Sequence, residues 1–409
     1  MSSRQPRWNS RASRLLMAGA TAATVIAVAI GAGGAASSSA AGGVTAAASG
    51  AANPNSVYAP GVPTLAQLYK GDATSPPTSG PPIAKKKTIV FVSCGQAAPG
   101  CAGVPNEMAK AAKLVGWKYS IIDGMLDANN GWANGIEQAI AEKPSAIIIH
   151  GMNCPDVAQA LRDAKAANIP VMGLEDVDCN DSLLPGGAQP SLFTIPVEYG
   201  KSLKNGQGYF FDWGKFQAAY IVDATKGHAK IIQTVYQPIF GAHQLAGQTA
   251  MLSKCTGCSV VAKIPFGASD QVPNGALFQK FTTVLTQFPQ ANAVMMNFDT
   301  DVNTAGLSKA TVDAGRQGSM QVVGGEGYAP ALQLIRQNQG LNAEAAHDGH
   351  RMAWAAVDEL NRYFNHKPAV IEGMGFVIVD KNHNMEPAGV DYHTSIPYQK
   401  IYKKSWGVK

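Results

Sequence analysis

The hydrophobic positions between residues 87 and 178 form short apolar runs that alternate with longer amphipathic stretches. Thr88–Ser93 (TIVFVS) and Ala146–His150 (AIIIH) are rich in isoleucine and valine, and a stretch with helical periodicity follows each run. Continuous apolar runs of this length are typical of strands that a parallel sheet buries on both faces. The pattern therefore predicts two strand–helix–strand units in tandem, and such sheets bind ligands beyond the carboxyl ends of their strands.

The remainder of the chain repeats this alternation, which predicts a second α/β lobe. Further apolar runs predict strands at 230–235, 259–264, 293–297, 321–324 and 376–379. Helical stretches lie at 200–225, 242–254, 276–288, 303–314, 329–337 and 350–365. Because helices that join parallel strands form right-handed crossovers, we expect an α/β protein with two doubly wound lobes.

The first 42 residues have the three-part pattern of a secretory signal. An uncharged run covers residues 15–30, and small residues with several A-x-A-like sites follow it. Four arginines precede the run: Arg4, Arg7, Arg11 and Arg14. We expect export to the cell envelope or the medium, with an uncleaved membrane anchor as the alternative. No cysteine precedes Cys94, so a lipid-modified cysteine directly after the leader is not expected.

Residues 43–86 differ in composition from the predicted lobes. They consist mainly of Ala, Gly, Pro, Ser and Thr, with one short helical stretch at 64–70. Such a composition buries too little apolar area to offset the entropy of ordering, so we predict a flexible tether. The formal net charge is +5, and removal of the four leader arginines lowers it to about +1. This charge gives no support to a nucleic-acid partner.

The six cysteines fall into three neighbouring pairs: Cys94 with Cys101, Cys154 with Cys179, and Cys255 with Cys258. Disulfides are the default interpretation in an exported chain. Six cysteines allow about fifteen pairings, so the sequence leaves the connectivity open. Local pairing is attractive because the first two pairs follow strands of the first predicted sheet and would brace its carboxyl edge.

The CTGC motif at 255–258 has two alternative interpretations. A redox-active C-x-x-C normally places its first thiol at a helix N-terminus, whereas this motif follows a helical stretch and precedes a strand. A zinc site would need a second C-x-x-C or a spaced histidine pair, and neither accompanies it. We therefore favour a structural disulfide and expect neither a metal site nor a cofactor.

Sequence motifs of common enzymes are absent from the chain. Neither G-x-S-x-G nor G-x-x-x-x-G-K-[ST] occurs. Glu175 and Asp176 could in principle serve as paired glycosidase acids, but adjacent residues of a strand point to opposite faces and would not flank one bond. We expect a non-enzymatic binding protein.

The order of the motifs resembles the type I periplasmic binding proteins, especially the ribose- and galactose-binding group that serves ATP-driven importers. The resemblance covers about residues 87–380. It depends on LVGW at 114–117, AANIP at 166–170, EYGK at 198–201, FDTDVNTAG at 298–306 and VVGGEG at 322–327. A repressor built on the same two-lobe fold would have an N-terminal helix-turn-helix at the position of the leader.

The resemblance implies a specific lobe division and a role. One lobe would comprise 87–196 plus 345–370, the other 197–344 plus 371–409, and three chain crossings would form a hinge between them. A monomer would capture a small ligand in the cleft, most readily a sugar or polyol, and deliver it to an ABC permease. The alternatives are a ligand-sensing receptor and a non-sugar ligand, aromatic or nucleoside-like.

The resemblance and the strand ends together point to ten ligand-binding candidates. Those of the first lobe are Gln96, Asn153, Glu175 and Asp176, and those of the second are Phe240, His243, Asn297, Phe298, Asp299 and Glu326. Amide and carboxylate oxygens suit ligand hydroxyls, although each polar residue could equally cap a loop or helix. The sugar-binding relatives place an arginine after the acid at 175–176, and this chain has none there.

The loop after the first strand contains no aromatic residue, although sugars commonly stack on aromatic faces. The stacking platform would therefore come from Phe240, Phe298 or Tyr328, or the ligand would not be a sugar. By contrast, Trp117 and Trp132 are predicted as packing residues at helix ends.

Overall fold

The computed structural model describes residues 56–152, 154–201 and 205–408. The predicted leader and residues 43–55 of the predicted tether lie outside these residues. Ten strands are described: β1 Thr88–Ser93, β2 Lys118–Asp123, β3 Ala146–His150, β4 Val171–Leu174, β5 Lys230–Tyr236, β6 Ser259–Phe266, β7 Ala293–Met295, β8 Gln321–Gly324, β9 Ala343–Ala346 and β10 Val377–Asp380.

The described residues form eleven α-helices: α1 Leu65–Lys70, α2 Pro99–Val115, α3 Gly131–Ala141, α4 Cys154–Ala166, α5 Gly206–Ala224, α6 Ile239–Leu252, α7 Ala276–Gln287, α8 Leu307–Asp313, α9 Ala329–Gln337, α10 Gly349–Phe364 and α11 Tyr398–Trp406. Some of their ends have the residues that capping preferences favour. Helix α2, for example, begins with Pro99 and ends at Gly116, whose φ of 75° a glycine adopts without strain. No helix of the described segments is long and apolar enough to cross a membrane.

The strands form two separate sheets, which confirms the predicted α/β fold with two doubly wound lobes. The first sheet has the order β2-β1-β3-β4 and is entirely parallel. All five residues of β3 are buried, as expected for a strand covered on both faces. The second sheet has the order β10-β9-β8-β7-β5-β6, and β10 runs antiparallel to β9.

Two elements were not predicted from the sequence. Strand β9 has the sequence AEAA, which lacks the β-branched and aromatic residues that mark a strand, yet all four residues are buried in the second sheet. Helix α11 packs against α10, where the Trp406 and Trp354 rings stack with centroids 5.5 Å apart. Trp406 Nε1 also donates to Asp358 Oδ1 at 2.6 Å.

Helix α10 belongs to the first lobe, although it directly follows β9 of the second sheet. It packs on α2 of the first lobe, and Trp354 Nε1 donates to Glu107 Oε1 at 3.0 Å. Because α11 lies on α10, the predicted assignment of all of 371–409 to the second lobe does not describe α11. The predicted boundary at 344/345 also falls inside β9. The Glu372 N–H donates to Glu198 O at 2.8 Å, so two of the crossings run side by side.

Residues 56–86, predicted as part of a flexible tether, instead lie against the body of the protein. We call this segment the N-terminal strap. Its helix α1 packs on α5 and β10, and Leu68 is buried there. Tyr69 Oη donates to Asp380 Oδ2 at 2.6 Å, and the Phe376 N–H donates to Asp72 Oδ1 at 2.7 Å. This half of the strap is therefore attached to the second lobe.

The second half of the strap reaches the hinge and the first lobe. Arg351 Nη2 donates to Thr74 O at 2.6 Å beside the hinge. Farther along, Arg362 Nη2 donates to Ser79 O at 2.9 Å and Trp117 Nε1 donates to Ala84 O at 2.7 Å. The tether prediction was wrong for 56–86 because side chains 33 to 283 residues away along the chain satisfy the strap's carbonyl groups, and composition does not reveal such partners.

Candidate functional site

A cleft lies where the carboxyl ends of the two sheets face each other. Its empty space is about 510 Å³, including the volume open to solvent at its mouth. The lining from the first lobe follows β1 to β4: Cys94, Gly100, Cys101, Leu126, Trp132, His150, Gly151 and Glu175. The lining from the second lobe is Phe210, Trp213, Tyr236, Phe240, Ala268, Gln271, Phe298, Thr300 and Glu326. This position, beyond the carboxyl ends of the strands, suits a small molecule.

Five aromatic side chains form a continuous wall on the second-lobe side of the cleft. Helix α5 supplies Phe210 and Trp213. Tyr236 ends β5, Phe240 lies at the start of α6, and Phe298 lies in the loop after β7. The Phe210 and Phe240 rings stack with centroids 4.5 Å apart, and Tyr236 meets Phe298 edge to face at 5.2 Å. We call these five residues the aromatic wall. It offers apolar ring faces to a ligand.

Trp132 lines the cleft on the first-lobe side and is held in place by a hydrogen bond. Its Nε1 donates to Cys94 O at 2.9 Å, and the side chain is buried. Cys94 is joined to Cys101, and the other two disulfides are Cys154–Cys179 and Cys255–Cys258. The local pairing favoured from the sequence is therefore confirmed.

Glu175 is a buried polar group of the cleft with three polar side-chain neighbours. It follows β4 in a left-handed backbone conformation with a φ of 53°, which is uncommon for a residue with a side chain. His150 Nε2 lies 2.8 Å from Glu175 Oε2, and Tyr209 Oη donates to Oε1 at 2.9 Å. His347 Nε2, at a hinge crossing, lies 3.2 Å from Oε1. The carboxylate therefore connects both lobes and the hinge.

The two cleft carboxyl groups have opposite pKa shifts. Burial acts to raise the pKa of Glu175, but His347, His150 and Tyr209 outweigh it and lower this pKa to about 2. Burial raises the pKa of Glu326 well above its usual range, and the neighbouring Asp299 and Glu175 raise it further. Ionised Glu175 is thus an acceptor only, whereas the shift at Glu326 favours its protonated form, which is able to donate a hydrogen bond.

The two lobes touch along the rim of the cleft. His243 Nε2 on α6 lies 2.8 Å from Asp181 Oδ2, in the loop after β4. A Cβ atom added at Gly100 would lie only 1.9 Å from Glu326 Oε1. Such a distance is far below van der Waals contact, so a side chain at position 100 would force the Glu326 carboxyl group to move.

Four predicted ligand-binding residues line the cleft, namely Glu175, Phe240, Phe298 and Glu326. Ligand contact by these four stays a prediction. Asn153 lies outside the described residues. The remaining five do not line the cleft: Gln96, Asp176, His243, Asn297 and Asp299.

The five candidates that do not line the cleft form hydrogen bonds with other protein groups. Gln96 Nε2 donates to Ser93 Oγ at 2.8 Å, and Asp176 Oδ1 accepts from the Met152 N–H at 2.5 Å. Asn297 Nδ2 donates to Gln244 Oε1 at 2.7 Å. Asp299 Oδ2 accepts from the Tyr328 N–H at 2.8 Å, and His243 faces Asp181 as described above. These residues therefore brace the loops around the cleft, so their prediction as ligand contacts does not fit their positions.

Several lining residues were not predicted as ligand contacts: Trp132, His150, Phe210, Trp213, Tyr236, Gln271 and Thr300. The position of Tyr236 at the end of β5 was a signal that could have identified it. The aromatic residues of α5 gave no such signal, because an aromatic run in a helix is equally typical of the core. Tyr328, considered as a stacking platform, is buried beside Gly103 and Gly349 and does not line the cleft.

A metal site is not supported by the described part of the chain. The one group of acids and cysteines there that is close enough to hold an ion is Cys154, Asp178 and Cys179. Cys154 and Cys179 are joined in a disulfide, so neither is available as a thiolate ligand.

The chain is similar to a known protein family and to several solved structures. The family model described as periplasmic binding protein domain matches residues 89–368. No curated protein sequence matches the chain significantly. Among solved structures, a glucose-galactose binding protein from Geobacillus stearothermophilus is 15% identical with a TM-score of 0.58, and the match covers 73% of this chain and 99% of that one.

Two further solved structures are similar. An ABC transporter solute binding protein from Agrobacterium vitis, bound with α-D-tagatopyranose, is 16% identical with a TM-score of 0.60, covering 76% of this chain and 100% of that one. One from Actinobacillus succinogenes with bound D-allose is 19% identical with a TM-score of 0.57, covering 73% and 98%. At these identities the likeness shows the fold.

Proposed function

Because the chain belongs to the periplasmic binding protein domain family, we propose that it is an exported solute-binding protein that delivers a small ligand to an ABC importer. It would act as a monomer outside the cytoplasm and without a cofactor. The ligand would bind in the cleft, and no chemical step would follow. A tether through the N-terminal segment belongs to the same proposal.

The observation that supports this function most directly is the origin of the cleft lining. Eight lining residues come from the first lobe and nine from the second, and nearly all of them follow strands or begin helices at the facing sheet edges. A ligand that contacts both halves stabilises the closed arrangement over an open one. Binding energy is thereby converted into a lobe movement that a membrane partner is able to detect.

Sugars and polyols are the first ligand class to consider, because the similar solved structures hold such molecules. Glu175 would accept from a hydroxyl, and the aromatic wall would cover the apolar face of a sugar ring. The second class is an aromatic or nucleoside-like metabolite. It is favoured by the six aromatic side chains of the lining, Trp132 and the five of the aromatic wall.

The test is a thermal-shift screen combined with small-angle scattering. A ligand present at about 100 times its dissociation constant adds about 2.7 kcal/mol of stability, which raises the melting temperature measurably. A true ligand should also lower the radius of gyration. A ligand that stabilises the protein at an unchanged radius would contradict lobe closure. The neighbouring genes separate an importer from a sensor, because they would encode permease and ATPase subunits in the first case and a sensor kinase in the second. The intact mass of the exported chain shows whether the leader is cleaved, and an uncleaved leader favours a tethered receptor.

A further inference from the structure

The cleft lining has more aromatic rings than polar side chains, and several of the polar side chains already bind protein groups. Glu175 is held by His150 and Tyr209. Gln271 Nε2 donates to Asp301 Oδ1 at 2.7 Å, and Glu326 Oε2 accepts from the Asp299 N–H at 2.8 Å. A hexose ring has about five hydroxyl groups, each a donor and an acceptor. Ring surface therefore outweighs polar groups in this lining, which favours a flat ring over a fully hydroxylated sugar; Trp213 Nε1 is a lining donor without a hydrogen-bond partner among the described residues.

The charges of the lining exclude a second class of ligands. Within residues 56–152, 154–201 and 205–408, no lysine or arginine lines the cleft, whereas Glu175 and Glu326 reach it from opposite lobes. A ligand carboxylate or phosphate would find no cation there and would lie close to an ionised Glu175. Anions are consequently disfavoured by charge as well as by desolvation.

His150 offers one unpartnered ring nitrogen at the edge of the cleft. The Glu175 carboxylate only accepts, so the His150 nitrogen beside it, Nε2, is the protonated one. Nδ1 of the same ring has no hydrogen-bond partner among the described residues. It accepts a hydrogen bond when the ring is neutral and donates one when the ring is protonated, and a hydroxyl group matches either form. His150 is 2% exposed, so a ligand hydrogen bond to Nδ1 strengthens binding more than the same bond would in water.

We propose that the ligand is an uncharged flat ring compound that stacks on the aromatic wall and forms a hydrogen bond at one edge with His150 Nδ1. Aromatic alcohols and nucleosides belong to this class, whereas hexoses, alditols and organic anions do not. This inference rests on the proposed function of the cleft. Each sugar hydroxyl buried without a partner weakens binding roughly tenfold.

The test is titration calorimetry of the full exported chain with six probes: benzyl alcohol, benzoate, adenosine, adenosine monophosphate, D-galactose and allitol. At least one of benzyl alcohol and adenosine should bind ten times or more tightly than its anionic counterpart and than either polyhydroxyl compound. Absence of binding by both overturns the inference. If D-galactose or allitol then binds and compacts the protein, the inference fails and the proposed function is retained. If no probe binds, the inference and the proposed function both lose support.

Two variants test the roles of the residues. Phe240→Leu should weaken binding of the ring probe about tenfold, whereas Phe281→Leu, in the core on α7 away from the cleft, should lower stability without this loss. His150→Phe should weaken benzyl alcohol about tenfold and leave toluene, which lacks the hydroxyl, unchanged. An equal effect of His150→Phe on both compounds would refute the hydrogen bond to Nδ1.

Discussion

Replacing Glu175 by glutamine removes one buried negative charge and keeps the size of the side chain. In the native protein this carboxylate has His150 Nε2 at 2.8 Å, Tyr209 Oη at 2.9 Å and His347 Nε2 at 3.2 Å. An amide is a weaker acceptor, its NH₂ group cannot accept from His150 or Tyr209, and it carries no charge for His347 to face. We therefore expect Glu175→Gln to lower both the stability of the protein and the order of the hinge.

The magnitude follows from the pKa of Glu175, which is lowered from its ordinary 4.5 to about 2. A difference of 2.5 pH units corresponds to about 3 kcal/mol of stability that the ionised form contributes. Because the pKa of the folded protein is the lower one, this contribution is complete above pH 4.5 and is lost as the pH falls towards 2. The stability difference between native protein and Glu175→Gln should therefore shrink as the pH falls below 4.5.

The assay is thermal unfolding of both proteins at several pH values between 3 and 7. At pH 7 the variant should melt several degrees lower, and the gap should narrow steadily below pH 4.5. Glu142→Gln, an exposed replacement of the same kind on the first lobe, serves as the control and should match the native protein throughout. A gap that stays constant down to pH 3 would refute the role of the Glu175 charge.

Further predictions concern the cleft, the strap and the disulfides. Gly100→Ala should favour helix α2 by up to about 1 kcal/mol. The same substitution should abolish ligand-induced compaction in small-angle scattering, because the new Cβ atom meets Glu326. Normal compaction of the variant would contradict this prediction. Leu68→Ala should cost about 2–5 kcal/mol of unfolding free energy, whereas an unchanged melting temperature would mean that the strap is not part of the fold. Alkylation without reduction should label no cysteine from Cys94 onward, and any labelled pair identifies an open disulfide.

The sequence was sufficient for the features that depend on local patterns. The runs at Thr88–Ser93 and Ala146–His150 identified β1 and β3 to the residue, because a strand buried on both faces has apolar side chains throughout. The parallel order then placed Glu175 and Phe298 after strand ends that meet at one edge. The short spacing within each cysteine pair likewise favoured the disulfides that the structure contains.

Features that depend on distant partners were decided only by the tertiary structure. The strap is ordered because Arg351, Arg362 and Trp117 donate to its carbonyl groups, and nothing in its own composition indicates those donors. Strand β9 exists because β8 and β10 flank it, although AEAA has little strand propensity.

In the cleft, too, local sequence patterns determined some features and distant partners determined the others. The sequence identified polar and aromatic residues near strand ends, but it could not tell Glu175, which lines the cleft, from Asp176, which faces away. That choice depends on the left-handed backbone at Glu175 and on Tyr209 and His347, which approach from α5 and from the hinge. Local periodicity determines which residues are buried, whereas the approach of remote segments determines which buried residues meet a ligand.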